Sequence, residues 1–265
     1  MLYKQNQSYE LDEKLFKNPT SEYRAAPFWA WNCKLNKDIL NEQIDIFKKM
    51  GFGGFHMHSR IGMSTPYLKD EFMGLIKFCT QKAEQENMLA YLYDEDRWPS
   101  GSAGGYVTKT HKYRQRYLIF SQNSREHFSL DEAINSSKDY LLAVFDVVLN
   151  EKGELKSYHT ISENDTAIGT KWYAYVHTHD ESPWHNNQTY VDTLNKEAID
   201  EFIKITYEAY QSAVGDEFDK IIPSIFTDEP QCKPKIPLSF ADSTDDAQLP
   251  WSFSLPKGFS DKYGY

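Results

Sequence analysis

Cysteine is scarce in this 265-residue chain: Cys33, Cys79 and Cys232 stand far apart, with no Cys-X-X-Cys spacing. An odd, scattered set cannot form the framework that staples small secreted domains, and it fits a reducing compartment better. Basic runs are missing too. The 29 Lys and Arg residues are outnumbered by 39 Asp and Glu for a formal charge of -10, and no stripe of cations could neutralise phosphates, so nucleic acid is not an expected partner. No segment nears the roughly 20 apolar residues of a membrane helix, which removes the membrane as a partner. The opening, MLYKQNQSYELDEKLF, has no basic start followed by an apolar stretch, so no signal peptide is expected. With Met1 as the true start, the expected location is cytoplasmic.

Aromatic residues, by contrast, are abundant. Phe, Trp and Tyr make up 15% of a chain of low mean hydropathy, and flat rings serve sugar clefts as well as cores. The length suits one barrel domain, or one domain carrying an insertion.

Along the chain, two periodicities alternate. Residues 26–32, AlaProPheTrpAlaTrpAsn, read as a buried parallel strand ending in a polar residue. Asn36 is a cap for a helix with Leu40, Ile44 and Phe47 on one stripe, and Gly51 supplies the stop. Gly53–Arg60 reads as a second strand. A second amphipathic helix carries Phe72, Leu75, Ile76, Cys79 and Ala83, and Leu89–Asp96 reads as a third strand. From 113 to 190 the pattern turns β-rich, with strand-like runs at 140–149 and 172–178 and a turn-like AsnGluLysGlyGlu between them. Helical rhythm returns after the cap candidate Asn195 and stops at Gly215, and Ile221–Glu229 reads as a fourth strand. Beyond Pro230 no fifth strand is recognisable.

This order predicts an α/β protein with parallel strands, of the (β/α)8 TIM-barrel type, of which only the first half is present, interrupted by a β-rich insertion. The expected organisation is a lead-in at 1–25, three βα units at 26–112, the insertion at 113–190, and the fourth unit with the start of the next segment at 191–265. Four strands where a barrel closes with eight lead to the expectation of a longer native product.

In such barrels the active site lies at the C-terminal strand ends. The polar residues there are Trp31-Asn32, His56-His58-Arg60, Asp94-Glu95-Asp96 and Asp228-Glu229, with Trp98 close behind. His56 and His58, two apart on a strand, project to one side and with Arg60 would line the mouth. Their spacing also permits joint metal ligation, as in metal-dependent amidohydrolase barrels, although strands three and four offer carboxylates and no further His. Glycosidic cleavage generally takes two carboxyl groups, one acid and one base or nucleophile. Glu229 is the leading acid candidate: it follows Asp228 and precedes Pro230, which is expected to hold it extended. Glu95 is the next catalytic candidate. The bland alternatives are a loop ion pair at Asp228-Glu229, and an acidic N-terminus for a helix opening within Ser100–Gly105.

The strings PFWAWN, QIDIFKKMGFGGFHMHSRIGMSTPYL, YLYDEDRWPSGSAGG, YVDTLNKEAIDEFIKITYEAY and IFTDEP, in this order, resemble the N-terminal barrel half of glycoside hydrolase family 106. The resemblance runs from Pro27 to the end of the chain. It implies an α-L-rhamnosidase-type exo-glycosidase, inverting, acting on an oligosaccharide or glycoside, with calcium as a family feature. It puts the acid at Glu229 and the base on a later strand, and family members continue beyond the position matching Tyr265. Two other classes stay open at this stage: the metal-dependent amidohydrolase-like barrel, and a non-catalytic carbohydrate-binding relative using Trp31 and Trp98.

Overall fold

The computed structural model describes residues 9–240 and 242–264; the first eight residues of the predicted lead-in, Ala241 and Tyr265 lie outside them. In chain order the elements are α1 (Glu13–Lys17), β1 (Phe28–Trp31), α2 (Lys37–Lys49), β2 (Gly54–Ser59), α3 (Asp70–Gln85), β3 (Leu89–Tyr93), β4 (Arg116–Ser121), α4 (Leu130–Ser136) and β5 (Tyr140–Leu149). Then follow β6 (Leu155–Ile161), β7 (Thr170–Thr178), α5 (Lys196–Val214), β8 (Ile225–Phe226), β9 (Ala247–Trp251) and α6 (Leu255–Tyr263). The protein is mixed α/β with two sheets, one of order β1-β2-β3-β8 and one of order β6-β5-β7-β4-β9. Two units divide the chain: residues up to Gly104 together with Phe202–Pro230, and Gly105–Glu201 together with the chain from Gln231. Among the described residues no helix is long and apolar enough to cross a membrane.

The first unit is built on the β-α-β-α-β rhythm that the apolar periodicity predicts. Asn36 caps α2, its Oδ1 accepting from the N–H groups of Asp38 and Ile39, and Gly51 ends the helix at φ +85°, where a Cβ would be strained. All strand pairs in this sheet are parallel: Trp29 lies opposite Met57, Phe55 opposite Ala90, and Tyr93 opposite Phe226. Paired residues share a face, and the two faces differ sharply. Trp29, Trp31, Phe55, Met57, Ala90 and Leu92 are buried. Trp29 sets its ring edge-on to Phe47 of α2, and Trp31 to Phe72 of α3. The other face carries Phe28, Ala30, His56, His58, Tyr91, Tyr93 and Phe226. Phe28 is 59% exposed, so β1 is covered on one side only, where a strand buried on both was expected.

The fourth strand is shorter than the expected Ile221–Glu229. Only Ile225–Phe226 qualifies, because Pro223 has no N–H and the chain bows out around it. Ala90 and Leu92, two residues apart on β3, bond to the carbonyls of Ile221 and Ser224, three apart.

The second unit is an antiparallel sheet. Its β5–β6 hairpin turns where the AsnGluLysGlyGlu string suggests: Asn150 Oδ1 accepts from the N–H groups of Lys152 and Glu154, and Gly153 takes φ +77°. Tyr117, Ile119 and Tyr175 form a small core with Leu141 and Tyr173 packed against it. Arg116 is buried, and its guanidinium donates to the carbonyls of His111, Lys112, Arg114 and Ile134. Burial lowers its pKa to about 10. The sequence showed no strand beyond Pro230, yet Ala247–Trp251 pairs with β4, placing Pro250 opposite Tyr117. This strand lies at the sheet's edge, where the N–H that proline lacks has no ladder to complete.

Candidate functional site

The loop after β3 does not open a helix at Ser100–Gly105; it runs as turns from Ser100 to Lys109. Gly101, Ala103 and Gly104 all take positive φ, which curls successive N–H groups inward into an anion-holding nest. The occupant is Glu95. Its Oε2 accepts from Gly101, Ser102 and Ala103 at 2.7–2.9 Å, and its Oε1 from Asp96 and Gly104. Gly104 suits the curl twice over, since a Cβ there would sit 3.2 Å from both Asp96 Cβ and Tyr67 Cδ1. Burial pushes the Glu95 carboxyl up, to about 7, while the backbone donors pull the other way.

Asp94 is equally enclosed. It accepts from the hydroxyls of Ser100 and Thr227 at 2.6 Å and of Tyr207 at 2.8 Å. Burial raises its pKa, and these hydroxyls oppose the shift. Ser100 also ties this loop to the next strand end: its Oγ accepts from Asp228 N–H, and its own N–H donates to the Asp228 carbonyl, both at 2.9 Å. Asp96 pairs with its neighbour Arg97 at 2.9 Å.

At the end of β8 the backbone is strained. Glu229 takes φ +44°, where Pro230 led us to expect an extended residue. The clip from Ser100 fixes Asp228 on one side, and Trp98 Nε1 donates to Glu229 Oε2 at 3.1 Å on the other. A left-handed non-glycine residue costs on the order of 1–3 kcal/mol and persists where its surroundings impose it. The upward pKa shift expected next to a second carboxylate falls on Asp228, through burial first and the Glu229 charge second.

A pocket of about 310 Å³ opens beside Asp228, lined by Phe28, Ala30, His58, Arg60, Phe226 and Asp228. His58 is held firmly: its ring stacks on Tyr93 at 3.7 Å, Nδ1 meets the Ser59 carbonyl at 3.0 Å, and Nε2 lies 4.0 Å from Asp228 Oδ2. Burial and the neighbouring Arg60 charge lower its pKa to about 4, so the ring is neutral near pH 7. His56 stacks on Tyr91 at 4.4 Å, and burial lowers its pKa too.

The structure therefore brings His58, Arg60 and Asp228 together at one pocket, with Glu229 and Trp98 paired next to Asp228 in sequence. His56 lies on the same sheet face, one residue pair deeper. Asp94 and Glu95 sit behind, with their oxygens engaged. Trp31 requires a correction: at 1% exposure it faces the helices, so its ring is core and not a sugar platform. Asn32, just past β1, is exposed. Calcium does not fit the Asp94-Glu95-Asp96 run. A cation needs free lone pairs, and the Asp94 and Glu95 carboxylates are ringed by O–H and N–H donors. Among the described residues no three His, Cys, Asp or Glu side chains gather in a metal-holding group. Phe28, Phe226, Ser100, Thr227 and Tyr207 escaped the reading of strand ends. All five stand inside the quoted motifs, but nothing local ties Tyr207, which comes from α5, to the strand ends.

No family model matches the chain, and no curated protein matches it. Solved structures that resemble it include a rhamnosidase from Novosphingobium sp., with 17% identity and a TM-score of 0.37 over 52% of this chain. The match spans 16% of that enzyme's chain. A likeness at that level fixes neither fold nor activity.

Proposed function

We propose that the parallel-sheet unit carries the acid side of a glycoside hydrolase site, with the proton donor drawn from the Asp228-Glu229 pair and Glu229 the donor that the motif resemblance implies. The observation that carries this reading is the end of β8: two consecutive carboxyl groups, one pushed up by burial, on a strained backbone beside an aromatic-walled pocket with Arg60 and a neutral His58. General acids near neutral pH are made in this way, and apolar walls with a few convergent polar groups suit a small ligand.

In this reading the segments 26–112 and 191–265 supply the first four units of a (β/α)8 barrel, with 113–190 inserted. The substrate is an α-L-rhamnoside or a related glycoside, cleaved with inversion, and the base comes from a later strand than these four. Asp94 and Glu95 act as the frame that holds the donor strand. The test is Glu229→Gln in the full-length enzyme. Activity on an alkyl or sugar aglycone is expected to fall about 10²–10⁴-fold, substrate binding to survive, and an activated aryl glycoside to lose far less. Equal slowing of both substrates, or of neither, moves the donor role away from Glu229.

A further inference from the structure

The hydrogen inventory between His58 and Asp228 restricts what can bind there. His58 Nδ1 lies 3.0 Å from a backbone carbonyl, which can only accept, so that nitrogen carries the proton of the neutral ring. Nε2 is then left as an acceptor, and it faces Asp228 Oδ2 at 4.0 Å. That span is too long for a direct hydrogen bond. It is the span that one oxygen bridges with two bonds of about 2.8 Å meeting at roughly a right angle. Both groups line the same 310 Å³ pocket, whose wall also includes Phe28 and Phe226, packed edge-on against each other.

We propose that His58 and Asp228 form a clamp for a single hydroxyl of the bound sugar, which donates its proton to His58 Nε2 and accepts one from the Asp228 carboxyl. A hydroxyl has one proton to give, and Nε2 takes it, so the second bond must come from Asp228 as an acid. The groups facing the pair agree. Burial first, then the charges of Glu229 and Asp94, favour the acid form of Asp228, and Arg60 opposes them. Arg60 and His56 disfavour a second proton on His58. The ligand atom must both donate and accept: an ether oxygen, a carbonyl or a fluorine satisfies only the Asp228 side. Phe28 and Phe226 supply apolar wall for the C–H edges beside that hydroxyl. The clamp rests on the glycosidase reading only for the statement that the hydroxyl belongs to a sugar.

The test uses the whole protein with ¹⁵N-labelled histidine. In the free protein, His58 is expected to show a protonated Nδ1 and an unprotonated Nε2; a protonated Nε2 overturns the proposal without any ligand. A panel of methyl glycosides, methyl α-L-rhamnoside first, is then titrated in. Saturation should move the Nε2 resonance, and among the monofluorinated analogues of the sugar that binds, one should bind about tenfold more weakly, the cost of a lost hydrogen bond at a buried acceptor. Asp228→Asn, which still offers a donor, should retain binding within about threefold, whereas Asp228→Leu should lose about tenfold or more. A glycoside that saturates the protein and leaves Nε2 unmoved, or binding that Asp228→Asn and Asp228→Leu weaken alike, overturns the clamp and leaves the glycosidase reading standing. If no glycoside of the panel binds, both fall together.

Discussion

Glu95 and Glu229 each follow an aspartate just beyond a strand of the parallel sheet, yet their surroundings are opposite. Glu95 is 1% exposed with five backbone N–H donors on its two oxygens. Glu229 stands exposed on a left-handed backbone and meets the indole N–H of Trp98. The first loop spends its geometry on enclosing a carboxylate, and the second on presenting one. A carboxyl group whose lone pairs are all met by fixed donors organises the chain, while one left exposed is free to exchange a proton. In the proposed reading Glu95, a catalytic candidate from its sequence position, serves the frame.

The largest effect expected from this contrast is on stability. Glu95→Gln sets an NH2 group against backbone N–H donors on one side or the other, and no rotamer avoids the conflict. Breaking a buried, fully donated carboxylate in this way should cost about 3–5 kcal/mol, measured by chemical denaturation. Glu229→Gln should change stability by less than about 0.5 kcal/mol, as surface substitutions usually do. A Glu95→Gln protein as stable as the parent would dissolve the distinction between the two loops.

The next effect belongs to His58. Its folded-state pKa of about 4 lies below the ordinary 6.5. Between those values the unfolded chain binds a proton that the folded chain refuses, so folding stability falls as pH drops from about 6.5 toward 4. Above 6.5 this group contributes no slope. The full span is roughly 3 kcal/mol. The stability of the parent relative to His58→Gln, compared at about pH 7, 5.5 and 4, should fall steadily on acidification. Parallel curves would mean that His58 titrates normally in the folded protein.

How much of this was legible in the sequence follows from what each feature depends on. Helices α2 and α5 announce themselves through Asn36, Asn195 and an apolar stripe, since capping and burial on one face are local in sequence. The clustering of candidates at strand ends was legible for the same reason, and it led to His58, Arg60, Asp228 and Glu229. Trp31 was misassigned because alternation along a strand cannot say which face meets the helices; only the pairing of Trp29 with Met57 and the edge contact of Trp31 on Phe72 decide it. The left-handed Glu229 was hidden because its cause is a hydroxyl on another loop, Ser100, and an indole at Trp98. Strand β9 was missed since Pro250 argues against a strand wherever the edge position is unknown. The nest around Glu95 was half visible: SerGlySerAlaGlyGly after an acidic run marks a loop with positive φ, but not whose carboxylate it encloses.

The smallest effect separates position from charge at Glu229. Trp98→Phe keeps an aromatic ring while removing the N–H that reaches Glu229 Oε2. One hydrogen bond to a carboxylate on an open loop is worth on the order of 1 kcal/mol. If its work is to aim Glu229, kcat on an alkyl glycoside should fall about three- to tenfold with KM nearly unchanged, because the substrate's own contacts at the pocket are intact. The pH profile should keep its shape. Trp98→Phe added to Glu229→Gln should then cost little beyond Glu229→Gln alone, since an aimed and an unaimed donor are lost alike once the proton is gone. A Trp98→Phe enzyme with raised KM and unaltered kcat would instead make the indole a contact for the sugar, and the strained turn at Glu229 would need another origin than the donor role.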